Sequence, residues 1–324
     1  MITENHLQSA IAAGILDETT ANALKAHANN NPIADEENFR LLSGFNDIFV
    51  VIASLLLLTS ISWMSSAPIG QYLAAITAWG LAEYFVRMRR MALPAIVLLL
   101  AFIIFIFAGT KYLITPIIDE GAQAFIIPSL IATIAAWLHW RRFQVPITIA
   151  AGTAALVVTL LAALMTFEYN PYIAPITVII GLTVFAFAMF WDSKDTQRQT
   201  KNADIAFWLH LLAAPIIIHP LFEIIGVLYG NINGLQASLV FILYLAISLI
   251  SLLIDRRPLM VSALGYVVYV FTTLLRDMGH IGIGFAVTAF TIGSALLLLS
   301  AYWHQCRHRL LAWLPAQLKP YLPN

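Results

Sequence analysis

The chain is short of most of what a soluble enzyme uses. Charged side chains make up 10% of its 324 residues, and Cys306 is its single cysteine. One thiol closes no internal disulfide and lacks the second sulfur of a metal or redox motif. No HExxH, GxSxG, Walker lysine loop or CxxC occurs. An intramembrane protease or a nucleotide-driven pump would need such groups, so neither is supported. Lys plus Arg equal Asp plus Glu at 17 each, and a net charge of zero implies no nucleic-acid partner. The first forty-odd residues are polar, which predicts no cleavable signal peptide. No metal site or cofactor is expected.

What is abundant is apolar. Hydrophobic residues reach 60%, far from the balance of an ordinary soluble domain. They gather into ten runs: 44–64, 67–86, 92–114, 122–140, 145–167, 173–191, 203–229, 235–254, 259–275 and 281–303. Each is close to the roughly 20 residues that cross about 30 Å of hydrocarbon. In lipid every backbone polar group needs an internal partner, so a continuous apolar run must be helical; a barrel strand would alternate. The expected fold is all-α, a polytopic membrane helix bundle of about ten transmembrane helices spanning 44–303. Residues 1–43 form a cytoplasmic helical hairpin and lead-in, and 304–324 a cytoplasmic interfacial tail.

Charge orients the bundle. All Lys and Arg except Lys111 and Arg276 fall in the N-terminal segment, the tail or every second link. Those links carry Arg87, Arg89 and Arg90; Arg141 and Arg142; Lys194, Arg198 and Lys201; Arg256 and Arg257. Positive charge near span ends stays cytoplasmic, so the expected topology is N-in/C-in, with both termini cytoplasmic. Interfacial aromatics agree, with Trp137, Trp140, Trp191 and Trp303 inside and Tyr112, Tyr169, Tyr172 and Tyr229 outside. In the hairpin, Leu7, Ile11 and Ile15 follow helical spacing, Gly14 is a stop, and Asp17 caps a second helix carrying Ala21, Leu24 and Ala28. In the tail, Leu310, Leu311, Trp313, Leu314 and Leu318 suit a segment lying on the inner leaflet.

Aromatic, basic pair, then proline recurs at 84–94, 137–146, 254–258 and 302–315. Helical hairpins are the implied building unit. Two stretches carry a family likeness: SAIAAGILDETTANAL at 9–24 and LLLLSAYWHQCRHRLLAWLPAQLKPYLP at 296–323. Together with the short-looped spans, the chain resembles a domain-of-unknown-function family of bacterial multi-span inner-membrane proteins with a short cytoplasmic hairpin. The resemblance implies location and topology, and no catalytic residues.

The run 207–230, FWLHLLAAPIIIHPLFEIIGVLYG, is the most polar. His219 and Glu223 are four apart and share a helix face if the helix survives Pro220. Lys111, Asp119, Glu120, Arg276, Asp277 and His280 belong to the same outer end. The layer admits two readings. It is a substrate, ion or proton site opening outward, or a satisfied ion-pair layer in which Glu223 is neutralised by Lys111, Arg276 or His219. Pro215 and Pro220 mark either a kink or a discontinuous helix of the transporter kind. His210, roughly opposite His219, reads as a lone hydrogen-bonded histidine. Asp47 reads as a helix cap or a partner of Arg87, and Gly226, Gly230 and Gly234 as a turn rather than a dimer face. HIGIGF at 280–285 has no preceding strand and is no dinucleotide fingerprint.

Three functional classes follow: a small-solute or ion transporter or channel; a regulatory or scaffolding membrane protein that docks a cytoplasmic protein through 1–43; and an intramembrane enzyme on lipid-linked or periplasmic substrates, with His219 and Glu223 moving a proton. Membrane lipids are the expected partners in all three.

Overall fold

A computed structural model describes residues 4–30, 45–118, 121–167, 172–229, 232–277 and 283–313. The chain divides into two units, Met1–Phe39 and Arg40–Asn324. The first holds α1 (Glu4–Ala12) and α2 (Glu18–Asn30). Between them Gly14 takes φ +68°, a left-handed backbone that a side chain would disfavour. Asp17 stands at the cap position of α2. Its carbonyl accepts the Ala21 N–H at 3.0 Å and its carboxylate accepts the Thr19 hydroxyl. Hydrogen bonds from Thr19 and Thr20 hold that carboxyl below its ordinary value.

The second unit is a run of helices: α3 (Phe45–Met64), α4 (Ile69–Ala82), α5 (Ala92–Ile114), α6 (Ile126–Phe143), α7 (Ile147–Leu164), α8 (Ile173–Ser193), α9 (Lys201–Ile225), α10 (Gly234–Ile254), α11 (Pro258–Asp277), α12 (Ile283–Ala301) and α13 (Trp303–Trp313). No strand occurs among the described residues. The described residues of each apolar run are largely helical. Seven helices are long and apolar enough to cross a membrane: α3, α5, α6 with its preceding 3₁₀ turn, α7, α8, α9 and α10. α4 is α-helical for only 14 residues before a π-helical segment, Glu83–Met88. The apolar stretches of α11 and α12 are also shorter, Pro258–Leu274 and Phe290–Leu299. Pro215 and Pro220 leave α9 unbroken from Lys201 to Ile225. Gly226 ends α9 with φ +82°, and Asn233 opens α10 with a capping box to Gln236. Gln236 Nε2 also donates to the Ile225 carbonyl at 3.1 Å and ties the two helix ends together; Gly230 lies outside the described residues.

Many large apolar side chains point outward, and alanines recur at the buried seams. Leu56, Ile76, Ile104, Ile179, Ile242 and Phe290 are each more than half exposed, while Ala75, Ala78, Ala132, Ala136, Ala206 and Ala213 are buried. Hydrocarbon does not expel Leu or Ile, so burying them would bring helices no closer. Small residues at the seams let backbones approach and gain dispersion contacts. Two cores result, one around α4, α5 and α6 and one around α8, α9, α10 and α11. α7 contributes to both, with Ile147 in the first and Val157 in the second, and Trp208 of α9 packs against both.

The links at the basic end share a device. Arg90, Gln144, Arg198 and Asp255 all take a left-handed backbone, φ 54°, 52°, 53° and 55°. Gln144 and Asp255 close α6 and α10 directly. A left-handed residue after the last helical turn is the usual way to reverse a helix into a hairpin. Non-glycine residues adopt it at some steric cost, which the surrounding contacts must offset.

A tight seam joins α8 to α9 at Gly181. A Cβ there would stand 2.7 Å from Ile217 Cγ1 and 3.0 Å from the Ile217 backbone nitrogen. The backbone atom cannot swing aside. Gly181→Ala is expected to lower stability by about 1–3 kcal/mol, the usual result of overpacking. Gly80→Ala, where a Cβ meets nothing within 4 Å, should be neutral or slightly stabilising because alanine favours helix. Thermal unfolding in detergent reads both; equal midpoints for the two variants would refute the close-packed seam.

Candidate functional site

At the basic end of the second unit, buried charges converge from five elements. The α8–α9 link sets the geometry. Asp195 accepts the backbone N–H groups of Gln199 at 3.0 Å and Thr200 at 2.7 Å, and the Thr200 hydroxyl at 2.6 Å. Burial alone would raise the Asp195 pKa, but the Thr200 hydroxyl and these N–H groups outweigh it and hold it below the ordinary 3.8. Thr200 then caps α9 by accepting the Asn202 N–H at 3.2 Å. At 25 residues, α9 runs for about 38 Å, longer than the roughly 30 Å hydrocarbon thickness. It overshoots the end of α8, so Asp192 meets His210 rather than Lys201.

Asp192 is the centre. Its Oδ2 lies 3.0 Å from His210 Nε2. Arg256 donates to the same carboxylate twice, from Nε at 3.2 Å and Nη2 at 2.5 Å, and from Nη2 to the Ala203 carbonyl at 3.2 Å. Asp192, His210 and Arg256 are 1%, 0% and 4% exposed. A carboxylate accepts only, so His210 Nε2 carries the shared proton. Its Nδ1 has no hydrogen-bond partner among the described residues, and Phe185 packs edge-on to the ring at 5.1 Å. Arg256 comes from the α10–α11 turn. Its N–H bonds the Ser251 carbonyl at 3.0 Å, and its own carbonyl accepts the Ser251 hydroxyl.

A second charge cluster adjoins through the same turn. Arg198 donates to Asp255 Oδ2 at 2.9 Å and to the Asp255 carbonyl at 3.0 Å. The other carboxylate oxygen accepts the Trp303 indole N–H at 2.7 Å, and Arg307 Nε lies 3.9 Å from it. Trp303 is therefore buried, at 1% exposed, and not the interfacial aromatic that its position suggests. On the other core, Glu83 holds Arg142 bidentately at 2.6 and 3.0 Å and Arg87 at 3.4 Å.

The outer residues singled out from the sequence are brought together only in part. His219 Nδ1 lies 2.5 Å from the Tyr266 hydroxyl of α11. Glu223 follows one turn later on α9, half-buried. Lys111 sits in the last turn of α5 with its amine 4.2 Å over the Phe125 ring. Arg276 and Asp277 end α11, but their side chains are outside the described set. Asp119, Glu120 and His280 lie outside the described residues. Sequence reasoning placed His210 correctly in a hydrogen bond but missed Asp192, Asp195, Arg198, Asp255 and Arg256 as a unit. The signal was present: aspartates stand beside the arginines in DSKDTQR and IDRRP. A rule that counts only Lys and Arg reads such links as topology and overlooks the pairing.

Removing one member should be costly. Arg256→Met leaves Asp192 buried without its cation, and the expected loss is about 3–5 kcal/mol. The double variant Asp192→Leu/Arg256→Met should recover most of it, since a well-packed apolar pair often replaces a buried ion pair without loss. Thermal unfolding of the single and double variants decides. A double variant as unstable as the single would mean that the uncompensated charge is not the cause.

No family model, curated protein or solved structure matches this chain, so the geometry is what bears on its function.

Proposed function

We propose that this chain is an integral membrane protein of ten spans with both termini on the cytoplasmic side of a bacterial inner membrane, and that it moves a small solute or ion. α4, α11 and α12 complete the ten. Membership of the domain-of-unknown-function family suggested by residues 9–24 and 296–323 belongs to the same proposal. One observation carries the transport reading: an imidazole and a carboxylate in direct contact, enclosed between two helices long enough to cross. Ionisable groups in such positions are expensive, and they commonly serve ion or proton movement. Protonating Asp192 weakens its hold on both His210 and Arg256 at once. The proton count thus biases how α8, α9 and the α10–α11 turn pair, the differential interaction that two conformations need. The outer group around His219 and Glu223 is the proposed polar site at the opposite end.

A second reading has its own support. Met1–Phe39 is a compact unit by itself, which suits a docking module for a cytoplasmic protein and a regulatory or scaffolding role for the whole.

Proteoliposomes under an imposed potassium diffusion potential, with a pH dye inside, test the transport reading. Wild-type protein is expected to carry protons or a proton-coupled solute inward, and Asp192→Asn to abolish that flux while remaining folded. Equal flux from both, or none from wild type, leaves the cluster as a structural clamp. Topology is read separately: a reporter active only outside the cytoplasm should stay silent after Asn324 and be active after Tyr169 and Gly230.

A further inference from the structure

α10, α11 and α12 enclose a laterally open apolar groove of about 840 Å³. Its α10 wall runs from Phe241 to Leu252, twelve residues whose eleven steps span about 16 Å of helix. That is close to half the roughly 30 Å hydrocarbon thickness, the depth of one leaflet. Ile242 and Leu298, beside the groove, are 61% and 60% exposed, so the opening faces the surroundings of the bundle.

Polar groups along the groove are few, the hydroxyls of Tyr244, Ser248 and Thr291. Ser248, 9% exposed, lines it about midway, one turn from Tyr244. At the end near Leu252, α10 gives way to the Asp255–Arg256–Arg257 turn, and just beyond Leu299 the α12 wall gives way to α13. Arg257 and Trp303 join those two ends, with the guanidinium 4.9 Å over the indole. Arg257 thus follows in the chain just past Leu252, the last α10 residue of an apolar slot one leaflet deep.

We propose that this groove binds an anionic phospholipid, with acyl chain along α10 and α12 and phosphate at Arg257. The chemistry is that of other headgroup sites, in which basic residues between helices take the phosphate and the apolar slot takes the chain. Apart from three hydroxyls the lining is apolar and offers water little to bond, and an empty space of this size in hydrocarbon forfeits dispersion contacts on every wall. The inference rests on the membrane reading and is independent of solute transport.

Native mass spectrometry of the detergent-purified, delipidated protein, with phosphatidylglycerol or phosphatidylcholine added back, tests it. Wild type should retain one phosphatidylglycerol, with about tenfold preference over phosphatidylcholine, equivalent to about 1.4 kcal/mol. Ala295→Trp, which fills the groove from α12, should lose that lipid. Ile242→Trp, on the neighbouring lipid-facing surface, should keep it and serves as the folding control. Arg257→Gln should keep a lipid but lose the headgroup preference. Equal retention in Ala295→Trp and wild type overturns the site. So does a wild type that binds no lipid, or one that runs as a dimer whose mass explains the covered groove. Free fatty acid binding as well as phosphatidylglycerol, unaffected by Arg257→Gln, overturns the phosphate assignment. Proton flux plays no part in any of these outcomes, so failure of the transport reading would be seen separately.

Discussion

The bidentate contact between Arg256 and Asp192 ties the second core together at its basic end. It links α8 to the α10–α11 turn, and through His210 and the Ala203 carbonyl it reaches α9 at two points. Charges this far from water are tolerated only when each is matched in geometry as well as sign. That demand passes outward. The turn must present Arg256, so Asp255 takes a left-handed backbone, and the Asp255 carboxylate is then held by Arg198 and Trp303. Arg198 in turn is presented by a link that Asp195 and Thr200 fold around their own hydrogen bonds.

This arrangement suits a bundle that lacks the usual driving force. Where the solvent is hydrocarbon, apolar burial between helices contributes little, and association rests on close packing and polar contacts. Gly181 and the buried alanines serve the first, the aspartate–arginine clusters the second. The two meet on α8 and α9, which pack closely along the seam at Gly181 and are pinned at the end by Asp192.

Much of the helical framework was legible in the sequence. The run 92–114 coincides with α5 residue for residue, and 235–254 differs from α10 by one residue at its start. Hydropathy is a local property, and a hydrocarbon-facing helix shows it at every turn. Gly14 as a stop and Asp17 as a cap were equally legible, since both act on backbone groups within four residues. The polar chemistry was less so. Arg257 and Trp303 read as interface markers, and only the fold sets one over the other. His219 drew notice because it interrupts an apolar run, whereas Asp192 sits at a run's end, where a charge excites no remark.

By itself, then, the sequence determined which segments are helices and in which links positive charge accumulates. Each of those depends on residues within a turn or two of one another. Only the tertiary structure decided which acid met which base. Asp192 and Arg256 are 64 residues apart and Arg198 and Asp255 are 57, distances over which a chain carries no local imprint of pairing. Those contacts exist because helix lengths, left-handed turns and a glycine seam bring them into register, and lipid leaves buried charges no better partner than each other.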